Sequence, residues 1–265
     1  MIRVAVSGAG GRMGRLVAAA VADSATPRTD GTGVHPELEL AGCYDPAHGG
    51  SSVSGHEVST SPGAVAGCDV VVEFTRPDVV MDNLSEWRRL GLHAVVGTSG
   101  FDAERIAAVR AMWGSGGPNC LIVPNFSIGA VVMMRLAELA APHFAAAEII
   151  ELHHDRKADA PSGTALATAE RIAAVAPDQH RAVVGEELVD GARGGDASGI
   201  PVHSVRLPGY VAHQEVLLGN VGETLSIRHD TTDRAAFMPG VLLAVRGVAA
   251  LPDPVTVGLG SLLGI

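Results

Sequence analysis

A chain of 265 residues with 47% hydrophobic residues, 18% charged residues and 33 glycines has the composition of a folded globular protein, which excludes a disordered or fibrous chain. Its length is enough to bury a full core and to form two modest domains. A formal net charge of −10 repels polyanions, which argues against nucleic acid and anionic membranes as partners.

The first half of the chain alternates short apolar strands with amphipathic helices. A β-branched run at 2–7 is followed by a glycine loop and by apolar residues at helical spacing, which predicts a strand, a tight turn and a helix. The alternation continues with predicted strands at 38–44, 69–74, 93–96 and 120–123 and helices at 77–90 and 102–113. We therefore expect an α/β, Rossmann-like, doubly wound parallel sheet.

The second half has a different order of predicted elements. These are helices at 128–140 and 161–175, a strand at 148–153, a polar glycine-rich loop at 191–199, strands at 202–207, 210–218 and 224–229, and a last helix at 235–249. They predict a smaller α+β domain with an antiparallel or mixed sheet. We expect the last helix to return to the first domain. The dinucleotide-binding domain would then be 1–126 and 238–265, and the substrate-binding and oligomerisation domain 127–237.

The chain shows no targeting segment and no disulfide or metal pattern. Its first apolar run reaches glycine too soon for a signal peptide, and Arg135 interrupts the most hydrophobic later helix. Cys43, Cys68 and Cys120 are odd in number and widely spaced, as expected of free, buried thiols in a reducing compartment. We expect a cytoplasmic protein without a membrane partner or a bound metal.

A glycine-rich turn, GAGGRMG at 8–14, joins the first strand to the first helix. Gly8 permits the turn, Gly11 lets backbone approach a pyrophosphate, and Gly14 allows close packing of the helix. Asp45, at the end of the second long strand, is the expected acceptor for the ribose hydroxyls. It lies farther along the chain than is usual because 24–37 is interpreted as an inserted surface loop.

Asp45 also bears on the choice of cofactor. A carboxylate repels a ribose 2′-phosphate, and the three residues after Asp45 include no arginine, so the sequence favours NADH over NADPH. Arg12 in the glycine loop is the residue that can reach a 2′-phosphate instead. Three further loops, at 73–77, 97–101 and 123–129, follow predicted strands at the edge where such sheets bind ligands. We expect them to hold the nicotinamide end of the cofactor; the alternative for each loop is an ordinary turn.

Lys157 is the only lysine among 19 Lys and Arg residues, and it lies in the segment ELHHDRKADAPSGT at 151–164. Adjacent side chains on a strand face opposite ways, so His153 and His154 are poor joint ligands for a metal. An imidazole, an ammonium group and a helix N-terminus suit a small anion. Arginine does not readily release a proton, so the lysine indicates proton donation, with a solvated turn as the alternative.

GAGGRMG, EFT, GTSGF, PNFSIGA, ELHHDRKADAPSGTA and RHDTTDRAAFMPG together resemble the 4-hydroxy-tetrahydrodipicolinate reductase family, formerly called dihydrodipicolinate reductase. The resemblance runs through nearly the whole chain in the correct order, and its most specific part is HHxxKxDAPSGT. The chain departs from the family pattern at Ser99, where a second threonine is frequent, and in the insertion before Asp45.

The resemblance implies NAD(P)H-dependent reduction of a small cyclic dicarboxylate in the diaminopimelate route to lysine, by a homotetramer. It implies that His153 and Lys157 are catalytic and that His154, Ser162, Gly163 and Thr164 bind substrate. The implied cofactor contacts are Gly8, Ala9, Gly10, Gly11, Arg12, Met13, Asp45, Gly97, Thr98, Ser99, Val123, Pro124, Asn125 and Phe126. Two rivals stay open, namely another NAD(P)-dependent small-molecule dehydrogenase and a non-catalytic nicotinamide-sensing module.

Overall fold

The computed structural model describes residues 1–24, 29–30, 33–34, 37–177 and 185–265. These residues form two compact units. The first comprises Met1–Phe126 and Phe237–Gly264, and the second comprises Ser127–Ala236 with Ile265.

An eight-stranded sheet organises the first unit. Its strands are β1 (Ile2–Ser7), β4 (Leu38–Tyr44), β5 (Ser52–Val53), β6 (His56–Ser59), β7 (Val70–Glu73), β8 (His93–Val96), β9 (Cys120–Ile122) and β15 (Val255–Val257). They lie in the order β15-β9-β8-β7-β1-β4-β6-β5, and all neighbouring strands are parallel except β5 and β6 at one edge. The helices are α1 (Arg12–Asp23), α2 (Val80–Arg89), α3 (Ala103–Trp113), α6 (Met238–Gly247) and α7 (Gly260–Leu263).

The strand order places a switch point at β1. The chain goes from β1 to β4 on one side and then returns to β7 on the other side, so the carboxyl ends of β1, β4 and β7 lie together. In open sheets of this kind ligands bind at such a point. The apolar faces of the helices cover the sheet, with Leu84, Trp87 and Trp113 fully buried in its core. This arrangement confirms the expected Rossmann-like fold.

The second unit has a five-stranded mixed sheet. Its elements are α4 (Ile128–Ala140), β10 (Ala146–His153), α5 (Gly163–Val175), β11 (Gly195–Ala197), β12 (Ile200–Arg206), β13 (Ala212–Asn220) and β14 (Glu223–Thr231). The strands lie in the order β11-β12-β10-β13-β14, and among them only β10 and β12 pair in parallel. Small residues of α4 and α5, with Ile149, Ile172 and Ile200, form its core, so the helices pack closely on the sheet.

Several short elements differ from the sequence expectations. The loop predicted at 191–199 contains β11, and the strands β5, β6 and β15 were not predicted, because two to four residues carry too little periodicity. The helix predicted from 77 begins at Val80, after a turn in which Val79 donates to the Arg76 carbonyl. The insertion at 24–37 lies largely outside the described residues; its described part is an antiparallel pair, β2 (Thr29–Asp30) and β3 (Gly33–Val34).

No helix of the described residues is long and apolar enough to cross a membrane.

Candidate active site

The glycine loop after β1 is shaped by close backbone approaches. Gly8 has φ +79°, and a Cβ there would lie 2.4 Å from the Phe74 carbonyl oxygen. A Cβ on Gly14 would lie 2.0 Å from the carbonyl oxygen of Gly8. Side chains at these two positions would therefore push the loop away from α1 and from the end of β7.

The N-terminus of α1 is open to an anion. Its N-cap is Gly11, which has no side chain to cap the helix, and the first turn contains no acidic residue. The amides of a first helical turn have no intrahelical partner, and the helix dipole adds positive potential there. Arg12 and Met13 lie in this turn, so the residues present fit the pyrophosphate of a dinucleotide.

Asp45 follows β4 and holds the glycine loop directly. Its buried carboxylate accepts hydrogen bonds from Gly10 N at 3.0 Å, from Ala47 N at 2.9 Å and from His48 Nδ1 at 2.9 Å. The His48 ring covers Gly10, where a Cβ would lie 2.2 Å from the ring. The structure thus places the Asp45 carboxylate against the glycine loop, together with His48, to which the sequence assigns no role.

Three more loops meet within this unit. Gly97 lies against the rings of Phe74 and Phe126, whose centroids are 5.4 Å apart, and its amide donates to the Glu73 carbonyl at 2.9 Å. Thr98 is buried, whereas Ser99 and Pro124 are exposed. In the third loop, Val123 donates to the Val96 carbonyl at 2.8 Å and Asn125 is half-buried. The loops predicted for the nicotinamide end therefore share one edge of the sheet.

Glu73 organises the first of these loops and was not predicted. It is fully buried, and its carboxylate accepts from the Trp87 indole at 2.8 Å and from Thr75 N at 3.2 Å. Asn83 and the Thr75 hydroxyl also contact it. An acid at the end of the apolar run VVVE is the signal that could have identified it, because a buried carboxylate needs partners.

In the second unit, Glu151 lies beneath His153 on the same face of β10. Glu151 is fully buried and its Oε2 lies 2.5 Å from His153 Nδ1. Arg206, at the end of the parallel neighbour β12, donates to both carboxylate oxygens, at 2.7 and 2.8 Å. Ser162 N donates to Oε1 at 3.2 Å. One carboxylate thus connects two strand ends and the start of α5.

These contacts control the protonation of Glu151. Burial alone would raise the pKa of its carboxyl group, but hydrogen bonds from His153, Arg206 and Ser204 outweigh burial and lower the pKa to about 2. Glu151 is therefore an ionised carboxylate at neutral pH.

Lys157 lies in the turn after β10. Its Nζ donates to both carboxylate oxygens of Asp159, at 2.7 and 2.8 Å, and its side chain is 21% exposed. The hydrogen bond from Lys157 lowers the pKa of Asp159. Arg206 Nη2 also donates to the Asp159 carbonyl, at 2.7 Å. The Lys157 ammonium is therefore bonded to Asp159, and Arg206 joins its turn to Glu151.

The N-terminus of α5 is capped but accessible. The Ser162 hydroxyl accepts from Ala165 N at 3.2 Å, and a Cβ on Gly163 would meet no atom within 4 Å. Gly163 and Thr164 form the first turn, whose amides favour an anion. In His154, burial and then the charges of Arg156 and Arg234 lower the pKa, which favours neutral imidazole; among the described residues Nδ1 has no partner.

Sequence reasoning missed Glu151, Arg206 and Asp159. Glu151 carried a signal, because it is two positions from His153 and so shares its face of the strand. Arg206 carried none, because its contact with Glu151 spans 55 positions and depends on the pairing of β10 with β12. No group of three or more His, Cys, Asp or Glu side chains among the described residues is arranged to hold a metal ion.

Comparisons with known proteins agree with this arrangement. The family model described as dihydrodipicolinate reductase, N-terminus, matches residues 2–126, and the one described as dihydrodipicolinate reductase, C-terminus, matches residues 129–263. The chain belongs to the dihydrodipicolinate reductase family. It is therefore an oxidoreductase, of a nicotinamide-dependent family that works in the diaminopimelate route to lysine.

Individual members of the reductase family are similar over most or all of the chain. The 4-hydroxy-tetrahydrodipicolinate reductase of Cutibacterium acnes is 48% identical over 273 residues, which cover 100% of both chains. That of Thermobifida fusca is 57% identical over 206 residues, 74% of this chain and 82% of the relative. The solved dipicolinate-bound dihydrodipicolinate reductase from Paenisporosarcina sp. TG-14 is 34% identical, has a TM-score of 0.82 and is matched over 98% of this chain and 99% of that chain. These matches confirm the resemblance inferred from the motifs.

Proposed function

We propose that this chain reduces (2S,4S)-4-hydroxy-2,3,4,5-tetrahydrodipicolinate to 2,3,4,5-tetrahydrodipicolinate and water. The observation that carries the proposal lies at the end of β10. Hydrogen bonds of Glu151 and Arg206 connect His153, the turn of Lys157 and the capped start of α5 there. The names of the curated relatives support the same substrate.

The first unit would bind the dinucleotide, and the residues that hold it would be those of the glycine loop, the end of β4 and the adjoining loops. These are Gly8, Ala9, Gly10, Gly11, Arg12, Met13, Asp45, Gly97, Thr98, Ser99, Val123, Pro124, Asn125 and Phe126. When bound, the nicotinamide supplies the hydride that is delivered to C4 of the substrate. Asp45 favours NADH, since its buried carboxylate disfavours a 2′-phosphate and no arginine follows it directly.

The second unit would bind the substrate through its two carboxylates. The amides of Gly163 and Thr164, next to the Ser162 cap, offer hydrogen bonds and the positive end of the α5 dipole. His154 and the Lys157 ammonium would complete the recognition, with His154 as a largely neutral hydrogen-bonding group. The two carboxylates of the substrate would therefore face hydrogen-bond donors in the segment before α5 and in the first turn of α5.

Protonation would fall to Lys157 or His153. The C4 hydroxyl leaves as water together with a proton from the neighbouring carbon, hydride then adds at C4, and the neighbouring carbon takes up a proton in return. A positioned acid typically accelerates such a step by about 10²- to 10⁴-fold. Asp159 holds the Lys157 ammonium, and Glu151 holds the Nδ1 edge of the His153 imidazole. Each candidate acid is thus fixed by a carboxylate.

The free, buried cysteines Cys43, Cys68 and Cys120 suit a reducing cytoplasm, where we place the reaction. We also propose a homotetramer, assembled through the second unit. Light scattering of the purified protein, with an expected mass of four times 27.1 kDa, tests that assembly.

A coupled assay tests the activity. Pyruvate and aspartate semialdehyde are converted by the preceding synthase in the cuvette, and oxidation of NADH and of NADPH is followed. Synthase-dependent oxidation that is faster with NADH supports both the substrate and the cofactor preference. Faster turnover of simple keto acids or semialdehydes would assign a different dehydrogenase activity, and NADH binding without any turnover would contradict catalysis.

A further inference from the structure

Glu151 is a buried charge that contacts two residues of the proposed substrate site, His153 and the amide of Ser162. Its side chain is fully buried, and an ionised carboxylate in such a place is costly unless it is paired and hydrogen-bonded. Its partners are His153, Arg206, Ser204 and the amide of Ser162. The carboxylate therefore stands where it can fix the geometry of several groups at once.

The contact between Glu151 and His153 determines which imidazole nitrogen faces outward. An ionised carboxylate only accepts hydrogen bonds, so His153 Nδ1 must carry the proton in this 2.5 Å contact. Nε2 is then the atom left to exchange a proton with substrate. The carboxylate–imidazole pair of a serine protease orients its histidine in the same manner.

Arg206 connects this pair to the second candidate acid. Its guanidinium binds both oxygens of Glu151 in a fork, and the same Nη2 donates to the Asp159 carbonyl. The Asp159 carboxylate in turn binds the Lys157 ammonium. Hydrogen bonds therefore connect His153 to Lys157 through Glu151, Arg206 and Asp159. Asp159 takes part through both its carbonyl and its carboxylate.

We propose that Glu151 and Arg206 are positioning residues of the reduction, which keep a proton on Nδ1 of His153, so that Nε2 is the atom that takes up and releases the exchanged proton, and which fix the turn that carries Lys157. The effects on kcat that we expect from it rest on the proposed function. Neither residue needs to touch substrate, since both act through His153 and through the Lys157–Asp159 turn.

The first test compares two glutamates of β10. Glu151→Gln removes the charge that orients His153, and kcat is expected to fall at least about tenfold while the Kd for NADH stays unchanged. Glu148 is the matched control, because it too lies on β10 and contacts a histidine. Its carboxylate is 2.9 Å from Nε2 of His203 on β12, but its side chain is half exposed. Glu148→Gln should leave kcat within about twofold of the unmodified enzyme. Equal kcat values for both variants would overturn the proposal.

A double-mutant cycle separates positioning from a general structural effect. If Glu151 acts through His153, Glu151→Gln should cost little further kcat once His153→Asn is present. Fully additive losses in the double variant would mean that Glu151 affects the rate without His153 and would contradict the positioning of His153.

Histidine tautomers give a readout that needs no turnover. In ¹⁵N-histidine-labelled protein, the His153 signal, assigned as the one lost in His153→Asn, should show Nδ1–H in the unmodified chain and change in Glu151→Gln. An Nε2–H tautomer in the unmodified chain would overturn the proposal even if Glu151→Gln does not fold. If the coupled assay fails but Nδ1–H is seen, the proposed substrate is wrong and the positioning pair stands.

Discussion

A substitution at Lys157 can distinguish the role of its positive charge from its role as a proton donor. Lys157→Arg keeps a cation opposite Asp159, but a guanidinium does not release its proton near neutral pH. We expect kcat to fall about 10²-fold or more, with a small change in the substrate KM, in steady-state kinetics. Arg156→Lys, at the exposed neighbour, is the control and should keep its kcat. An unchanged kcat in Lys157→Arg would remove Lys157 from the acid role.

Asp45 is the residue at which cofactor preference can be measured. Replacing it with alanine removes a carboxylate that would accept from the ribose hydroxyls and that also holds Gly10 and His48. We expect the Kd for NADH, from fluorescence titration, to rise about tenfold or more, and the Kd for NADPH to rise less, because the repulsion of a 2′-phosphate disappears as well. Equal losses for the two dinucleotides would show that Asp45 only shapes the loop.

At the scale of elements, the start of α5 combines a structural cap with a proposed anion site. Ser162→Ala removes the hydroxyl that accepts from Ala165 N and should lower the free energy of unfolding by about 1 kcal/mol. It should also raise the substrate KM, because the first turn of α5 frays. Asp102→Ala removes the equivalent cap of α3, where Asp102 accepts from Arg105 N. That control should lose similar stability in denaturant unfolding with no change in the substrate KM; a matching rise in KM would contradict a specific role for α5.

Whether an element was predictable depended on its length and on how local its signal is. The ranges 38–44, 93–96 and 128–140 were predicted with the bounds the structure gives, because periodicity, caps and turn residues lie within each segment. The order of the strands was not predictable, because it depends on which distant segments pair.

The candidate site divides in the same way. The glycine loop and the segment at 151–164 were recognised because their chemistry is contiguous in sequence. Arg206 was not, because the register of β10 with β12 brings it beside His153, and no local pattern encodes that register.

For the whole molecule, Glu151 sets a dependence of stability on acid. Its pKa lies at about 2 in the folded chain against an ordinary value of 4.5, so its stabilising contribution is complete above about pH 4.5 and is lost as the pH falls toward about 2. We expect the free energy of unfolding, measured by denaturant unfolding followed by circular dichroism, to decrease less between about pH 4.5 and about pH 2 in Glu151→Gln than in the unmodified chain. Identical decreases would contradict the assignment of a depressed pKa to Glu151.

The contacts of Asp45 have a consequence for the kinetics of ligand binding. Three donors of the chain hold its carboxylate, and one of them is the backbone of the glycine loop itself. The loop therefore does not have to fold around an incoming dinucleotide, and little conformational entropy is lost there on association. Related dinucleotides should then associate at similar rates and differ mainly in how long they stay bound.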